Sequence, residues 1–550
     1  MKAPVNVPKL SGFDKSHQNL LTTKCGTITP ILIDELIPGS KVNLKLALSA
    51  SLPPLASETF MRCSVKVRAF FVPFRLLSGS FESWFTDTEK KYAVSSVTGV
   101  AKKGLLPVIG NLNSTTDATA ISAMTAVGGL FDYLGFKTGN TITLSTSGTA
   151  ISAMPALAYH RVYHDWFRNS LVQADVFLPP SSNSGISPAS NANFLGLAPY
   201  VFTNSTDPIY VYSSTAQLAL ADGKYIYELR QENFGLDYFT TATPSPQQGS
   251  AEVVSFSTSG STGQFSIAAL RAANSMQQFK ERNNLAGNLF VEQCYARYGV
   301  SPSDGVAQRS LYLGSADYEV YSKGVNVTAQ SFDTNAATSF NATTNPLADS
   351  PGAQFGVAKA IGNGNLVSGF EAKEPGYLLV TATLVPRVTY SSGIHKRWTN
   401  YVGAGSLADL ANPILQNVGP QPIMQYELTG NGTSTSVFGY TDRYASFKTM
   451  EDELHGIVRD GSSLQSFALQ RSFSVNSTPS INSSFLQIPT NYMDQVTAVT
   501  SAISTYGCWM DCYFDYKVAQ PLAKYSLPSL QDPAYEHGRT IIVNKGGKRL

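Results

Sequence analysis

Between Lys41 and Leu48, polar Lys41, Asn43 and Lys45 alternate with apolar Val42, Leu44, Leu46 and Leu48. That period of two is the pattern of a strand with one buried face. A second alternation sets Cys63, Val65, Val67 and Ala69 against Ser64, Lys66 and Arg68. It turns fully apolar at Phe70-Phe71-Val72 and stops at Pro73. With Pro38-Gly39 as the preceding turn and a proline-rich loop between them, the two strands are expected to pair antiparallel. Strand-like runs return at Tyr377–Val385 and Cys508–Tyr516, with turn signals at Asn431-Gly432 and Asp460-Gly461. Strands this far apart in sequence must share one sheet system. Composition agrees: only 14% of the 550 residues are charged, against about 25% in an ordinary soluble domain. Ser, Thr, Asn, 43 Gly and 29 Pro fill the deficit, as in many strands joined by long polar loops. A content of 43% hydrophobic residues excludes a disordered polyelectrolyte. The class expected is mainly β.

Residues 1–24 carry Lys2, Lys9, Lys15 and Lys24 with little periodicity, which suggests an extended basic arm ordered by a neighbour. Residues 25–550 are expected to form one domain with large insertions at about 76–158, 170–375 and 395–500. Tyr159, Val162, Tyr163, Trp166 and Phe167 fall on one helical face, as do Ile267, Leu270, Ala273 and Met276 in a helix that Ser266 can cap. Between these helices lies a long Ser/Asn/Pro-rich insertion with an exposed loop at about 178–223. No internal repeat of fixed period is present.

The formal net charge of +2 is too small for a generic polyanion binder, so nucleic-acid contacts would come from local clusters. No stretch approaches the roughly 18 apolar residues of a membrane span. The segment from Met1 to Pro8 lacks the apolar centre of a signal peptide, so the chain reads as soluble, not membrane-inserted, and made in a cytoplasm. Five cysteines, an odd number scattered along the chain, are not a disulfide framework. Reduced, mostly buried thiols are expected.

Phosphate-loop, dinucleotide-binding and nucleophile-elbow motifs are all missing. His160 and His164 have the four-residue spacing of zinc ligands, but Arg161 stands where a metalloprotease needs its Glu, and two partly buried structural histidines are the expected outcome. Cys508 and Cys512, four residues apart along a strand and hence separated by about 13 Å, belong to the core. Glu451, Asp452 and Glu453 do not converge as a catalytic carboxylate pair would, and read as a solvated loop or an intersubunit ion pair. Sequons such as Asn113-Ser114-Thr115 and Asn326-Val327-Thr328 are what an Asn/Ser/Thr-rich chain produces by chance. No catalytic residue, metal site or cofactor is expected.

The basic C-terminal tail, 539–550, ends Lys545-Gly546-Gly547-Lys548-Arg549-Leu550. With the N-terminal arm it can bind phosphates by counterion release, and nearby Tyr525 and Tyr535 can stack unpaired bases. An ordinary solvated terminus is the competing reading.

In order along the chain run Phe13-Asp14-Lys15-Ser16-His17, Leu36-Ile37-Pro38-Gly39, Phe70-Phe71-Val72-Pro73-Phe74-Arg75-Leu76 and Asp165-Trp166-Phe167-Arg168. Asp237-Tyr238-Phe239-Thr240-Thr241-Ala242, Tyr298-Gly299-Val300, Phe438-Gly439-Tyr440-Thr441-Asp442-Arg443 and Pro521-Leu522-Ala523-Lys524-Tyr525 follow. In this order the chain resembles the major capsid proteins of the Microviridae, especially the gokushovirus-like branch. The resemblance implies a single eight-stranded antiparallel jelly roll with long insertions that contain a few helices. It also implies self-assembly into a T=1 icosahedral shell around a circular single-stranded DNA genome. Relatives of that branch carry a long insertion after the position of Pro246 that builds a threefold protrusion. Here the corresponding segment, Gln247 to about Gly263, is short, and extra length lies between Leu178 and Gly223.

From that resemblance, Lys2, Lys9, Lys15, Lys545, Lys548 and Arg549 are candidate DNA-phosphate contacts. Ser181, Ser182, Asn183, Asn204 and Asp207 are candidates for a host-facing loop. The implied partners are further copies of the chain, the DNA genome, a small DNA-packaging protein, a pilot or vertex protein and a bacterial surface receptor. The implied locations are the virion and, during assembly, the host cytoplasm. Two rivals remain at this point: a carbohydrate-binding or carbohydrate-active β-sandwich, and a spike or vertex protein of the same kind of virus.

Overall fold

The computed structural model describes residues 10–56, 59–78, 81–86, 90–93, 98–102, 106–109, 118–136, 151–177, 211–212, 219–220, 222–252, 266–327, 354–400, 411–498, 501–522 and 524. Two antiparallel sheets organise them. Their strands are β1 (Ser11–Asp14), β2 (His17–Thr23), β3 (Thr29–Leu36), β4 (Lys41–Ser51), β5 (Cys63–Pro73), β6 (Leu311–Glu319), β7 (Tyr321–Val327), β8 (Gln354–Glu371), β9 (Gly376–Pro386) and β10 (Cys508–Gln520). The first sheet runs β1-β10-β4-β8-β7, with β2 pairing β10 alongside β1, and the second runs β6-β5-β9-β3.

Both expected alternations are strands, but β4 and β5 do not pair. The connection between them crosses from the first sheet to the second, so Leu44, Leu46 and Leu48 meet Val65 and Val67 in one core between the sheets. Within the segment expected as an extended arm, residues 11–14 and 17–23 are strands. The neighbour that orders them is the chain's own β10, through pairs such as Phe13 with Val518 and Leu20 with Asp511. Lysine-rich composition hid these strands, because one face of this edge stays in water.

Burial explains the two kinds of strand pattern. β4 and β10 alternate cleanly between exposed and buried residues because only one face of the first sheet is covered. β9 is buried almost throughout, since the second sheet is covered on both faces. Its outer cover is α1 (Met154–Val162), which runs on into a wider turn over Tyr163–Phe167. Leu157, Tyr159 and Phe167 pack there with Phe70, Val72 and Leu379 in a second core. A third, smaller core gathers Tyr238, Phe239, Ile423, Phe438 and Phe485. Strands β6 and β8, one from each sheet, approach closely at Gly364, where a Cβ would stand 2.6 Å from both Ala316 Cβ and Tyr318 Oη.

The second expected helix is also present, as α2 (Ile267–Ala286), with Ser266 Oγ accepting the Ala269 N–H at 3.1 Å. α3 (Phe290–Tyr298) follows it. Among the described residues no helix is long and apolar enough to cross a membrane.

Candidate functional site

The two histidines, His160 on α1 and His164 in the wider turn that follows it, are both engaged by the fold. His160 is fully buried, and Arg230 Nε donates to its Nδ1 at 3.0 Å while its Nε2 donates to the Ile226 carbonyl at 2.9 Å. Burial, reinforced by the Arg230 charge, holds its pKa well below the usual histidine range. Neither ring nitrogen has a lone pair left for a metal. His164 is opposite in character. Burial works against its charge, but hydrogen bonds to Asp165 (3.0 Å) and Asp175 (3.3 Å) outweigh that and raise its pKa, so the ring sits between two carboxylates that favour its charged form. Asp165 also takes Arg161 Nε at 2.9 Å and the Ser310 N–H at 2.8 Å, which ties α1 to the start of β6. Among the described residues no group of histidines, cysteines and carboxylates could hold a metal ion.

All five thiols are unbridged. Cys508 and Cys512 both point into the core, where burial lifts each thiol to about 12 and keeps it an inert apolar filler.

The acidic triplet finds partners within the chain, with Glu451 and Asp452 half-buried and Glu453 exposed. Glu451 Oε1 accepts the Tyr238 N–H at 3.1 Å. Asp452 Oδ2 stands 2.7 Å from Arg387 Nε and 3.9 Å from Arg62. Glu453 pairs with Arg397 and, at 3.1 Å, with His455. The three carboxylates thus diverge, as expected of a group unable to share a proton across a scissile bond. Beside them Tyr390, His395, Trp398 and Glu427 line a cleft of about 470 Å³. Burial first, then the charges of Asp237 and Asp452, pushes the Glu451 carboxyl up to about 7.

Of the candidate phosphate contacts, only Lys15 lies among the described residues. Its Nζ donates to Asp34 at 2.7 Å, and Tyr516 Oη donates to the same carboxylate at 2.6 Å, so the side chain is committed to stapling β1 and β2 onto the sandwich. Lys2, Lys9, Lys545, Lys548 and Arg549 lie outside the described residues, as do Ser181, Ser182, Asn183, Asn204, Asp207, Tyr525 and Tyr535.

Two surfaces escaped sequence reasoning. On α2 the only buried side chains are Asn283 and Asn284, whereas Ile267, Leu270 and Met276 are 69%, 48% and 48% exposed. The helix is docked by its polar side, through Lys280 to Glu252 and Asn284 to the Ser245 carbonyl (2.6 Å), with its apolar face turned outward. Phe290, Tyr295 and Tyr298 continue that exposure along α3. The other surface is the uncovered side of the first sheet, where Trp509 and Tyr513 stand about half exposed.

The described residues thus form a β-sandwich with an outward-turned apolar helix face, a surface of the kind that marks a protein contact. The chain belongs to the phage capsid protein family described as Capsid protein (F protein), which matches residues 4–263 and 254–530. It is similar to Capsid protein VP1 of Bdellovibrio phage phiMH2K, 25% identical across 94% of this chain and 95% of that one. It is also similar to Capsid protein VP1 of Chlamydia phage 1, at 23% across 96% and 97%, and of Spiroplasma virus 4, at 22% across 94% of each. All three are phages of the Microviridae. The chain is accordingly a major capsid protein and a structural one, not an enzyme. That membership sets the saccharide and spike readings aside.

Proposed function

We propose that the chain is the shell subunit of a T=1 icosahedral virion enclosing a circular single-stranded DNA genome. On this reading the sandwich is an eight-stranded jelly roll, with β2-β10-β4-β8 facing β3-β9-β5-β6, and β1 and β7 are additions to its edges. The strand orders and the shared core support that assignment. The observation that carries the assembly role is α2, a 20-residue helix whose apolar side faces out while two asparagines face in. In water such an orientation is unfavourable, at about 25 cal/mol for each Å² of apolar surface. It is relieved when a neighbouring subunit covers it.

The basic ends, Lys2 and Lys9 with Lys545, Lys548 and Arg549, serve as phosphate contacts, and Lys15 serves less because Asp34 already holds it. The loop carrying Ser181, Ser182, Asn183, Asn204 and Asp207 faces the bacterial receptor. A small DNA-packaging protein and a pilot or vertex protein complete the particle, which assembles in the host cytoplasm. The alignment with the Chlamydia phage 1 protein runs over 643 positions, longer than this chain, so that relative carries inserted sequence absent here. The family match breaks at 254–263, in the segment where the threefold insertion is short.

Negative-stain microscopy and sedimentation of lysate from cells making this chain, alone and with circular single-stranded DNA, test the proposal. Closed isometric particles containing nuclease-protected DNA are expected. A protein that stays a monomer or small ring in both preparations would sink it.

A further inference from the structure

The uncovered side of the first sheet is a continuous four-strand surface in the order β2, β10, β4, β8. Register places Trp509 between Thr22 and Ser51, and Tyr513 between Gln18 and Ala47. Both rings are about half exposed, at 50% and 52%. Because they are four residues apart on one strand they lie about 13 Å from each other on the same face. The row between them, Leu20, Asp511, Ser49 and Ile361, supplies an apolar and polar floor. Lys45, Lys359, Lys517 and Lys41 are distributed around it and exposed. Along one margin the segment around Val127–Tyr133 rises as a wall, with Tyr133 Oη donating to the Thr22 carbonyl at 2.6 Å. Wall and sheet enclose a cleft of about 770 Å³ against Trp509.

We propose that this face is a stacking platform for the unpaired bases of a single-stranded nucleic acid, with Trp509 and Tyr513 as the two rings. The inference rests on the genome-enclosing role above and names the part of the subunit that would meet the genome. Rings spaced along an open sheet, with amides and lysines between, suit sequence-tolerant recognition, since every base has a π face. Asn363, Asn365 and Gln18 offer hydrogen bonds to base edges without selecting one base. The charge balance makes the inference specific. Lys517 stands 3.3 Å from Asp515 and Lys41 3.8 Å from Glu371, so much of the positive charge is answered within the sheet. The affinity contributed by this face should then come from stacking more than from counterion release. The same balance argues against a subunit contact here, because the apolar floor is interrupted by Ser49 and Asp511 where the centre of a protein interface is depleted in charge.

The test uses the full-length protein and an oligothymidine of about a dozen nucleotides. Binding is followed by anisotropy at several salt concentrations for the wild type, Trp509→Ala/Tyr513→Ala and Trp509→Phe/Tyr513→Phe. The alanine pair should bind at least about tenfold more weakly, while the phenylalanine pair stays within about threefold of wild type. Equal binding by the alanine pair at high salt, where the phosphate contacts of the basic termini are screened, overturns the proposal. In parallel, particle formation by each variant is scored by sedimentation. If the alanine pair remains folded yet no longer forms shells that the wild type forms, the face is a subunit contact and the proposal is overturned. Absence of shells from the wild type counts against the capsid reading alone, because the oligonucleotide arm needs no shell.

Discussion

Glu451 is a carboxyl whose surroundings oppose its charge. Its carboxyl is lifted to about 7 by burial and by the neighbouring Asp237 and Asp452, with Arg387 opposing. A raised acid is favoured in the fold when protonated. The fold therefore bears no cost from it below the ordinary value of 4.5, bears a growing one as pH rises from there through about 7, and keeps that cost above. Glu451→Gln retains an acceptor for the Tyr238 N–H but removes the charge. Thermal unfolding should show the variant melting higher than wild type by roughly 2 °C at about pH 8, with the difference vanishing near pH 4.5. A gain that persists at the acidic end would mean that something other than the charge was relieved. The sequence displays three adjacent acids here and cannot display their partners. Arg62, Arg387 and Tyr238 come from distant parts of the chain, and whether a carboxylate is solvated or paired is decided only when those parts meet. His160 and Arg161 were legible further, since a histidine without a third ligand beside it belongs to the packing, as the Arg230 contact bears out.

At the level of elements, periodicity told which side of each segment is apolar but not what covers it. For β4 and β10 the clean alternation identified a strand with one wet face, and for β9 the unbroken apolar run fits a strand covered on both. The pairing of β4 with β5 failed because alternation is identical for two strands in one sheet and for two strands facing across a core. α2 fails in the reverse sense. Its cap and apolar stripe are where the pattern puts them, yet the stripe points away from the subunit. Leu270→Asp/Met276→Asp should therefore leave the melting temperature of the isolated subunit nearly unchanged, within about 2 °C, as expected of surface positions. It should abolish sedimentation of the protein as closed particles. Shells formed at wild-type yield would show that this face is not an intersubunit contact.

For the whole molecule, the strand that holds the first sheet together is the last in sequence among the described residues. β10 lies between the β1–β2 edge and β4, so its removal opens the sheet on two sides and strips Cys512, Phe514 and Tyr516 from the core. A chain ending before Cys508 should lack cooperative unfolding and accumulate in the insoluble fraction. A soluble, cooperatively melting truncation would mean that the remaining strands close without it.

Gln18 and Asp511, hydrogen-bonded at 2.8 Å, are separated by 493 positions along the chain. At about 5–20 residues per second, a ribosome reaches the second roughly 25–100 seconds after the first. During that interval β2 and one edge of β4 wait without their partner, with apolar inner faces in need of shelter. The sandwich therefore cannot close until the polypeptide has been made through Gln520, so folding of the first sheet waits for nearly the whole of its synthesis.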